Sequence, residues 1–252
     1  MPWGFFSLTH ILSLLFVPIF TVGMYYLLKG KSERTQKMVM FPLSLWGIVS
    51  MIFNVIYYYV TENESPLENL PLHLCSFNAI ALPIVILTKN KTFGNVLFLW
   101  CLGAVMALIL NNEMCEYPFF SWPIFFYYWP HVIEFAFPIL LVCLKLVDKD
   151  PKCILSSVAL TLGIYTIVHF INLGLNAYIA ANNIVNSSGE LILANYMYSL
   201  KENNPLVGWF IQLIPGGYWH MYLAVPILVV YLLIVYAPDL LRILKKKKAA
   251  CK

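Results

Sequence analysis

Seven mostly apolar stretches recur along this chain, at about 5–28, 38–60, 72–88, 92–110, 124–145, 153–175 and 217–237. Each is close to the roughly 20 residues that a helix needs to cross a hydrocarbon layer about 30 Å thick. Little else folds from such a pattern, because lipid offers no partner to a free backbone group and only helices or closed barrels satisfy them all. Composition agrees: 61% of the 252 residues are hydrophobic and 11% are charged, where a soluble domain carries about 25% charged residues. The expected fold is all-α, a seven-helix transmembrane bundle forming one polytopic domain over 1–252. The first stretch lacks a basic flank and a small-residue cleavage site, so it reads as a retained helix and not as a signal peptide.

Charge orients the bundle. Lys29, Lys31, Arg34 and Lys37 lie in the first connection, Lys89 and Lys91 in the third, and Lys145, Lys149 and Lys152 in the fifth. Arg242, Lys245 to Lys248 and Lys252 form the tail. With seven spans and the N-terminus outside, fifteen of the sixteen Lys and Arg fall on one side, Lys201 being the exception. Glu62, Glu64, Glu68, Glu113, Glu116, Glu190 and Glu202 fall on the other. The positive-inside rule makes the basic side cytoplasmic. The expectation is a multi-pass protein of the cell membrane with a cytoplasmic C-terminus. No domain is left to present the basic residues to nucleic acid.

Two segments interrupt the simple pattern. Pro215, Gly216 and Gly217 divide the run 206–237, leaving LVGWFIQL as a short interfacial or re-entrant piece. The outer loop at about 176–205 is long and rich in Asn, and it is expected to fold over the outer face as a lid. It holds Asn186-Ser187-Ser188, which has the form of a glycosylation acceptor.

On this topology His10, His73, His131, His169 and His220 all fall in the outer half of the bundle. Polar groups at membrane depth usually face the bundle interior or a wet cavity. Glu134 follows His131 by three positions and shares its helical face. A lone carboxylate there is costly, so Glu134 is expected to be protonated or to pair with His131, holding that ring as a base; the plainer reading is a structural pair between helices. Asn172 stands in the same relation to His169, either orienting the ring or bonding across helices.

Cys143, Cys153 and Cys251 belong to the cytoplasmic ends, and Cys101 reads as an apolar filler within its helix. Cys75 and Cys115 both lie outward, so a disulfide between them is the structural alternative for Cys75. No CxxC and no pair of histidines at four-residue spacing is present, so no metal site and no cofactor is expected. Cys75 sits about one turn into its helix, where the helix dipole favours a thiolate, at the level of lipid headgroups. That makes it the candidate nucleophile. His73 is a poor base for it if both are helical, since residues two apart diverge; it serves only if 71–73 is an extended approach. A base from another helix, His131, is easier.

The segments LPLHLC at 70–75, PHVIEF at 130–135, INLGLN at 171–176 and NYMY at 195–198 resemble the YwaF-like bacterial integral membrane proteins, which are similar to the eukaryotic transmembrane protein 164 family. The resemblance implies a cysteine-dependent acyltransferase that moves fatty acyl chains between phospholipids. Cys75 then matches the acyl-accepting cysteine, with His131 as base and Glu134 holding it. The partners implied are a membrane phospholipid or lysophospholipid. His73, Asn78, His169, Asn172, Asn195 and His220 complete the candidate substrate-binding set, with Asn78, Asn172 and amides near Asn195 as possible oxyanion donors.

Two other readings compete. A zinc lipid hydrolase would take three of His73, His131, His169 and His220 as ligands. A transporter or receptor would use the same polar pocket for a small ligand; the chain shows neither paired broken helices in related halves nor an attached signalling domain.

Overall fold

The computed structural model describes residues 2–110, 114–186, 188–202 and 205–250, the stretch 243–250 by its backbone alone. Glu113, Ser187, Cys251, Lys252 and the side chains of Lys245 to Lys248 lie outside the described residues, with whatever part of the charge pattern and the glycosylation motif rests on them.

Among the described residues the architecture is helical, with only two isolated bridges, Pro2 to Pro118 and Val185 to Leu191. The helices are α1 (Leu8–Leu28), α2 (Glu33–Ser44), α3 (Trp46–Thr61), α4 (Leu74–Thr88), α5 (Lys91–Leu110), α6 (Trp122–Cys143), α7 (Ile154–Ala181), α8 (Pro205–Leu213) and α9 (Ala224–Ala250). Serines open the first two: Ser7 accepts from the His10 amide and Ser32 from the Thr35 amide, filling backbone donors that a helix start leaves free.

Six segments are long and apolar enough to cross a membrane: Leu8–Leu28, Glu33–Thr61, Lys91–Leu110, Trp122–Cys143, Pro151–Ala181 and Gly217–Arg242. The chain is thus a multi-pass helical membrane protein. The stretch expected at 72–88 is helical only over Leu74–Thr88, 15 residues, about 22 Å at the rise of an α-helix. The expected 38–60 helix begins earlier, at Glu33, and bends at Leu45, three residues after Pro42 takes a donor out of the ladder. The sixth stretch also runs further than expected. Its helix continues to Ala181 because Leu175, Tyr178 and Ile179 prolong the apolar pattern, and left-handed Asn183 turns the chain beyond its end. The long loop is therefore shorter than 176–205. LVGWFIQL forms α8, set off by Pro215 and by Gly216 at φ 95°.

α6 is the axis of the bundle. The apolar part of this helix is 72% buried, against 11–56% for the other five long segments, and it packs against α1 through α5. Its inner face feeds a core with Leu82, Val85 and Ile86 of α4 and Val96 to Trp100 of α5. Near its start, the chain's own N-terminus is tucked in. Trp3 is fully buried, its ring nitrogen donating to Ser13 Oγ at 2.9 Å and its amide to the Tyr117 carbonyl at 2.8 Å.

The ion pairs among the described residues collect at one end. Glu33 accepts from Lys37 and Lys89, Asp150 pairs with Lys91, and Asp239 pairs with Lys149. Asn95 ties the same end together, bonding the Asp148 carbonyl, the Asp150 amide and the Tyr236 hydroxyl. These links join the connections 29–37, 89–91 and 145–152 to the start of the tail.

α3 reaches α4 through a glycine. A Cβ on Gly47 would stand 2.7 Å from Ala79 Cβ and 3.3 Å from Ala79 Cα, so the two helices approach on small residues, as helices in lipid often do. Gly47→Ala is expected to destabilise the bundle by about 1–3 kcal/mol, the usual cost of overpacking. The unfolding temperature in detergent should fall and should recover in the Gly47→Ala, Ala79→Gly double variant. No recovery would mean that this contact is not the constraint.

Candidate functional site

Cys75 occupies the first turn of α4, and His73 is the cap residue before it, in an extended conformation at φ −81° and ψ 159°. The extended approach expected over 71–73 is found only at His73, since the Leu72 amide turns back to the Leu70 carbonyl; His73 itself stands outside the helix and is not forced away from Cys75. Its Nδ1, however, accepts from the Met197 amide at 3.4 Å, which places the ring proton on Nε2 and makes that nitrogen a donor. Both His73 and Cys75 are partly exposed. Cys75 and Cys115 are free thiols. Cys115 is buried with Trp3 and Tyr128 in a separate cluster between α1 and α6, so the disulfide alternative is not realised. Cys101 is buried and donates to the Phe98 carbonyl, as a filler would.

α6 brings His131 and Glu134 to the same region. His131 Nδ1 lies 2.6 Å from the Tyr127 carbonyl, one turn back on its own helix, and the Tyr127 ring covers the imidazole at 4.4 Å between centroids. A carbonyl only accepts, so Nδ1 carries the proton and Nε2 is left with a free lone pair. His131 also lies within electrostatic range of His73.

The expected His131–Glu134 pair is not formed. The imidazole turns to a backbone carbonyl within its own helix, and Glu134 faces elsewhere. Glu134 is 3% exposed, and its Oε2 has no hydrogen-bond partner. Its Oε1 is 3.6 Å from where a Cβ on Gly47 would be, a point 2.7 Å from Ala79 Cβ, one turn along α4 from Cys75. Asn78, one turn below Cys75 and 1% exposed, has an equally unpartnered Oδ1. Ser50, one turn along α3 from Gly47, is buried with its hydroxyl unpartnered. No hydrogen bond joins Cys75 to either histidine among the described residues. Such catalytic contacts often close only when substrate arrives.

The remaining candidates build the cover over this site. Asn172 donates to the Tyr196 carbonyl at 2.8 Å and to Ser199 Oγ at 2.9 Å, and accepts from the Tyr196 amide at 3.1 Å. His169 Nδ1 meets the same Ser199 hydroxyl at 3.1 Å, so Asn172 acts on that ring only through Ser199. Asn195 accepts from the Leu200 and Lys201 amides and donates to the Lys201 carbonyl. His220, fully buried, sets its ring nitrogens 2.8 Å from the Tyr198 carbonyl and 3.0 Å from that of Gly217. Met197 and Tyr198 are held in the left-handed region at φ 54° and 55°, a conformation costly for residues with side chains. The Tyr196 hydroxyl donates to the Leu67 carbonyl and accepts from the Leu70 amide, clasping the approach to α4. Burial pushes that hydroxyl up to about 12, so it keeps its proton at any physiological pH.

The segment 194–201 packs on His73, and His169, Asn172, Asn195 and His220 hold it. None of the four joins Cys75. Asn172→Leu is expected to strand the carbonyl and amide of Tyr196, at about 1–3 kcal/mol for each buried group left unpaired, while the Ser199 hydroxyl keeps His169. Faster hydrogen exchange confined to 194–201 would register it; unchanged exchange there would show that Asn172 does not hold the segment.

His10 is a structural histidine. Its Nε2 donates to the Leu108 carbonyl at 2.8 Å and its Nδ1 accepts from the Phe6 amide at 3.0 Å. The zinc set drawn from His73, His131, His169 and His220 is not assembled: no three His, Cys, Asp or Glu side chains converge among the described residues, and both nitrogens of His220 face carbonyls.

Gly47 and Ser50 are the site residues that the sequence reading passed over. A glycine and a serine three apart in an otherwise apolar helix are a visible sign of a close, polar face. The Tyr127 carbonyl that orients His131 has no such sign, since every residue carries one.

A family model described as the TMEM164 family matches residues 5–236, nearly the whole chain. No curated protein and no solved structure matches it.

Proposed function

From the premise that this chain belongs to the TMEM164 family, we propose that it is a membrane-embedded acyltransferase that exchanges fatty acyl chains between phospholipids and lysophospholipids through a thioester on Cys75. The observation that carries this is local. A partly exposed thiol opens the first turn of α4, and α6, which packs against that helix, carries an imidazole whose Nε2 is free and whose other nitrogen is already engaged.

In the first half-reaction the Cys75 proton passes to His131 Nε2 and the sulfur attacks the ester carbonyl of a phospholipid. The tetrahedral intermediate expels the glycerol oxygen, which takes the proton back from His131 and leaves as a lysolipid hydroxyl. A second lysolipid hydroxyl then reverses these steps, its proton going to His131 and its oxygen displacing the thiolate. The orienting role expected of Glu134 falls to the Tyr127 carbonyl. His73, with its Nε2–H, is a donor at the mouth.

The proposal places seven crossings in the cell membrane, with the basic end cytoplasmic and the site outward. The short α4 supports a crossing of its own, because its two ends meet the two ends of the bundle. Leu70 and His73 bond Tyr196 and Met197 of the outer segment, while Leu87 and Lys89 bond Lys37 and Glu33. The turn at 70–72, where the Leu72 amide donates to the Leu70 carbonyl at 2.8 Å, and extended His73 continue the crossing beyond the helix's 22 Å or so.

The test is to trap the intermediate. Purified protein in liposomes containing a phospholipid with a labelled acyl chain should acquire a hydroxylamine-labile label on the peptide containing Cys75. Acyl exchange without such a label would sink the thioester.

A further inference from the structure

Glu134 is left without the role that its spacing from His131 suggested, and its surroundings indicate another. The side chain is 97% buried, on the axial helix of a membrane bundle, with no ion-pair partner among the described residues and with Oε2 unbonded. An uncompensated carboxylate in such a place is far costlier than the neutral acid. The neutral acid carries an O–H, and in the resting protein that O–H meets no acceptor.

Gly47 brings the α3 backbone against Ala79 and to the edge of the carboxyl group, closing the site from that side. Ala79 lies one turn along α4 from Cys75, so on another side the carboxyl group stands beside the same helix. When the Cys75 sulfur adds to an ester, negative charge gathers on the former carbonyl oxygen beside it. A pre-placed donor in a dry site is the usual means of stabilising such charge, and a carboxyl group kept neutral by an apolar site can be that donor. His131 is not suited to this, because it directs its proton at Tyr127 and needs Nε2 for the thiol proton; the His73 Nε2–H and the Asn78 amide N–H are further donors beside Glu134.

We propose that Glu134 acts as a neutral carboxylic acid whose O–H is the oxyanion donor for the tetrahedral intermediates formed on Cys75. The proposal rests on the acyl-transfer reading. The proton stays on Glu134 throughout; only the hydrogen bond strengthens as charge develops, while proton transfer remains with His131.

Two variants and one spectroscopic measurement decide it, all on the full chain in liposomes. Glu134→Gln keeps a donor in nearly the same place and should label Cys75 within about tenfold of the wild-type rate. Glu134→Leu keeps the volume without the donor and should slow labelling by about 10²–10³-fold, the usual effect of removing one oxyanion donor, with KM little changed. A Gln variant as slow as Leu would show that the carboxylate itself is required, and a Leu variant as fast as wild type would show that no donor is needed. Either overturns the proposal.

Should the Leu variant not fold, infrared spectroscopy still decides. The wild type should show the C=O band of a protonated carboxylic acid, lost in Glu134→Gln; a wild-type spectrum without it places a carboxylate at 134 and overturns the inference. Failure of the parent reading looks different, since Cys75→Ser would then retain acyl exchange whatever the state of Glu134.

Discussion

Cys75→Ser is expected to slow phospholipid acyl exchange by at least about a thousandfold, within the range seen when a covalent nucleophile is removed. Serine preserves the shape of the first turn of α4, so folding should be unaffected. What it removes is acidity and leaving ability. A hydroxyl is far weaker as a nucleophile at neutral pH without a strongly coupled base, and in this protein no hydrogen bond couples position 75 to His131 in the resting state. An ester formed on serine would also return its acyl chain to a lysolipid less readily than a thioester does. The measurement is transfer of a labelled acyl chain from phospholipid to added lysophospholipid in liposomes, followed by mass spectrometry. A serine variant as active as wild type would remove Cys75 from the chemistry and leave acyl exchange to another group.

His131→Gln should cost about 10²–10⁴ in the same assay, the usual contribution of a positioned general base. Glutamine can still donate to the Tyr127 carbonyl, so the helix keeps its internal bond, but its amide cannot take the thiol proton. His10→Gln is the matched control. His10 is as deeply placed and binds a carbonyl through one nitrogen as His131 does, yet its second nitrogen is already occupied by the Phe6 amide. Its replacement should lower the unfolding temperature and leave acyl exchange unchanged. Equal loss of activity in both variants would mean that the effect at His131 is one of folding.

The contrast between these two histidines shows how far the sequence carries. His10 and His131 look alike in the chain: each is one imidazole in an apolar run. Both give one nitrogen to a carbonyl, 98 residues away for His10 and a single turn away for His131; only His10 has its second nitrogen taken, by the Phe6 amide that the tucked N-terminus presents. Glu134 makes the same point in reverse. Its spacing from His131 puts both on one helical face, but sharing a face brings two side chains near without choosing their hydrogen bonds. The backbone carbonyl won the imidazole, and the carboxyl was left facing α3 and α4.

His169, Asn172, Asn195 and His220 were legible as polar residues gathered at one end. Their targets were not, because they bind main-chain groups of 194–201, whose path is set by contacts between distant segments. Even the helix ends divide this way. The apolar run running on through Leu175 and Ile179 carries α7 to Ala181, and the pattern was readable; the close contact of Gly47 with Ala79 required two helices to be placed first.

By itself, then, the sequence determined a bundle of apolar helices, a separation of charge between their ends, and a set of polar residues too costly to leave in lipid without a reason. Those are consequences of hydropathy and length, properties that each segment carries alone. Only the tertiary structure decided which polar atoms satisfy one another and which remain unbonded beside Cys75. A hydrogen bond is a matter of two groups meeting within about 3 Å, and where helices meet depends on the small residues that let them approach.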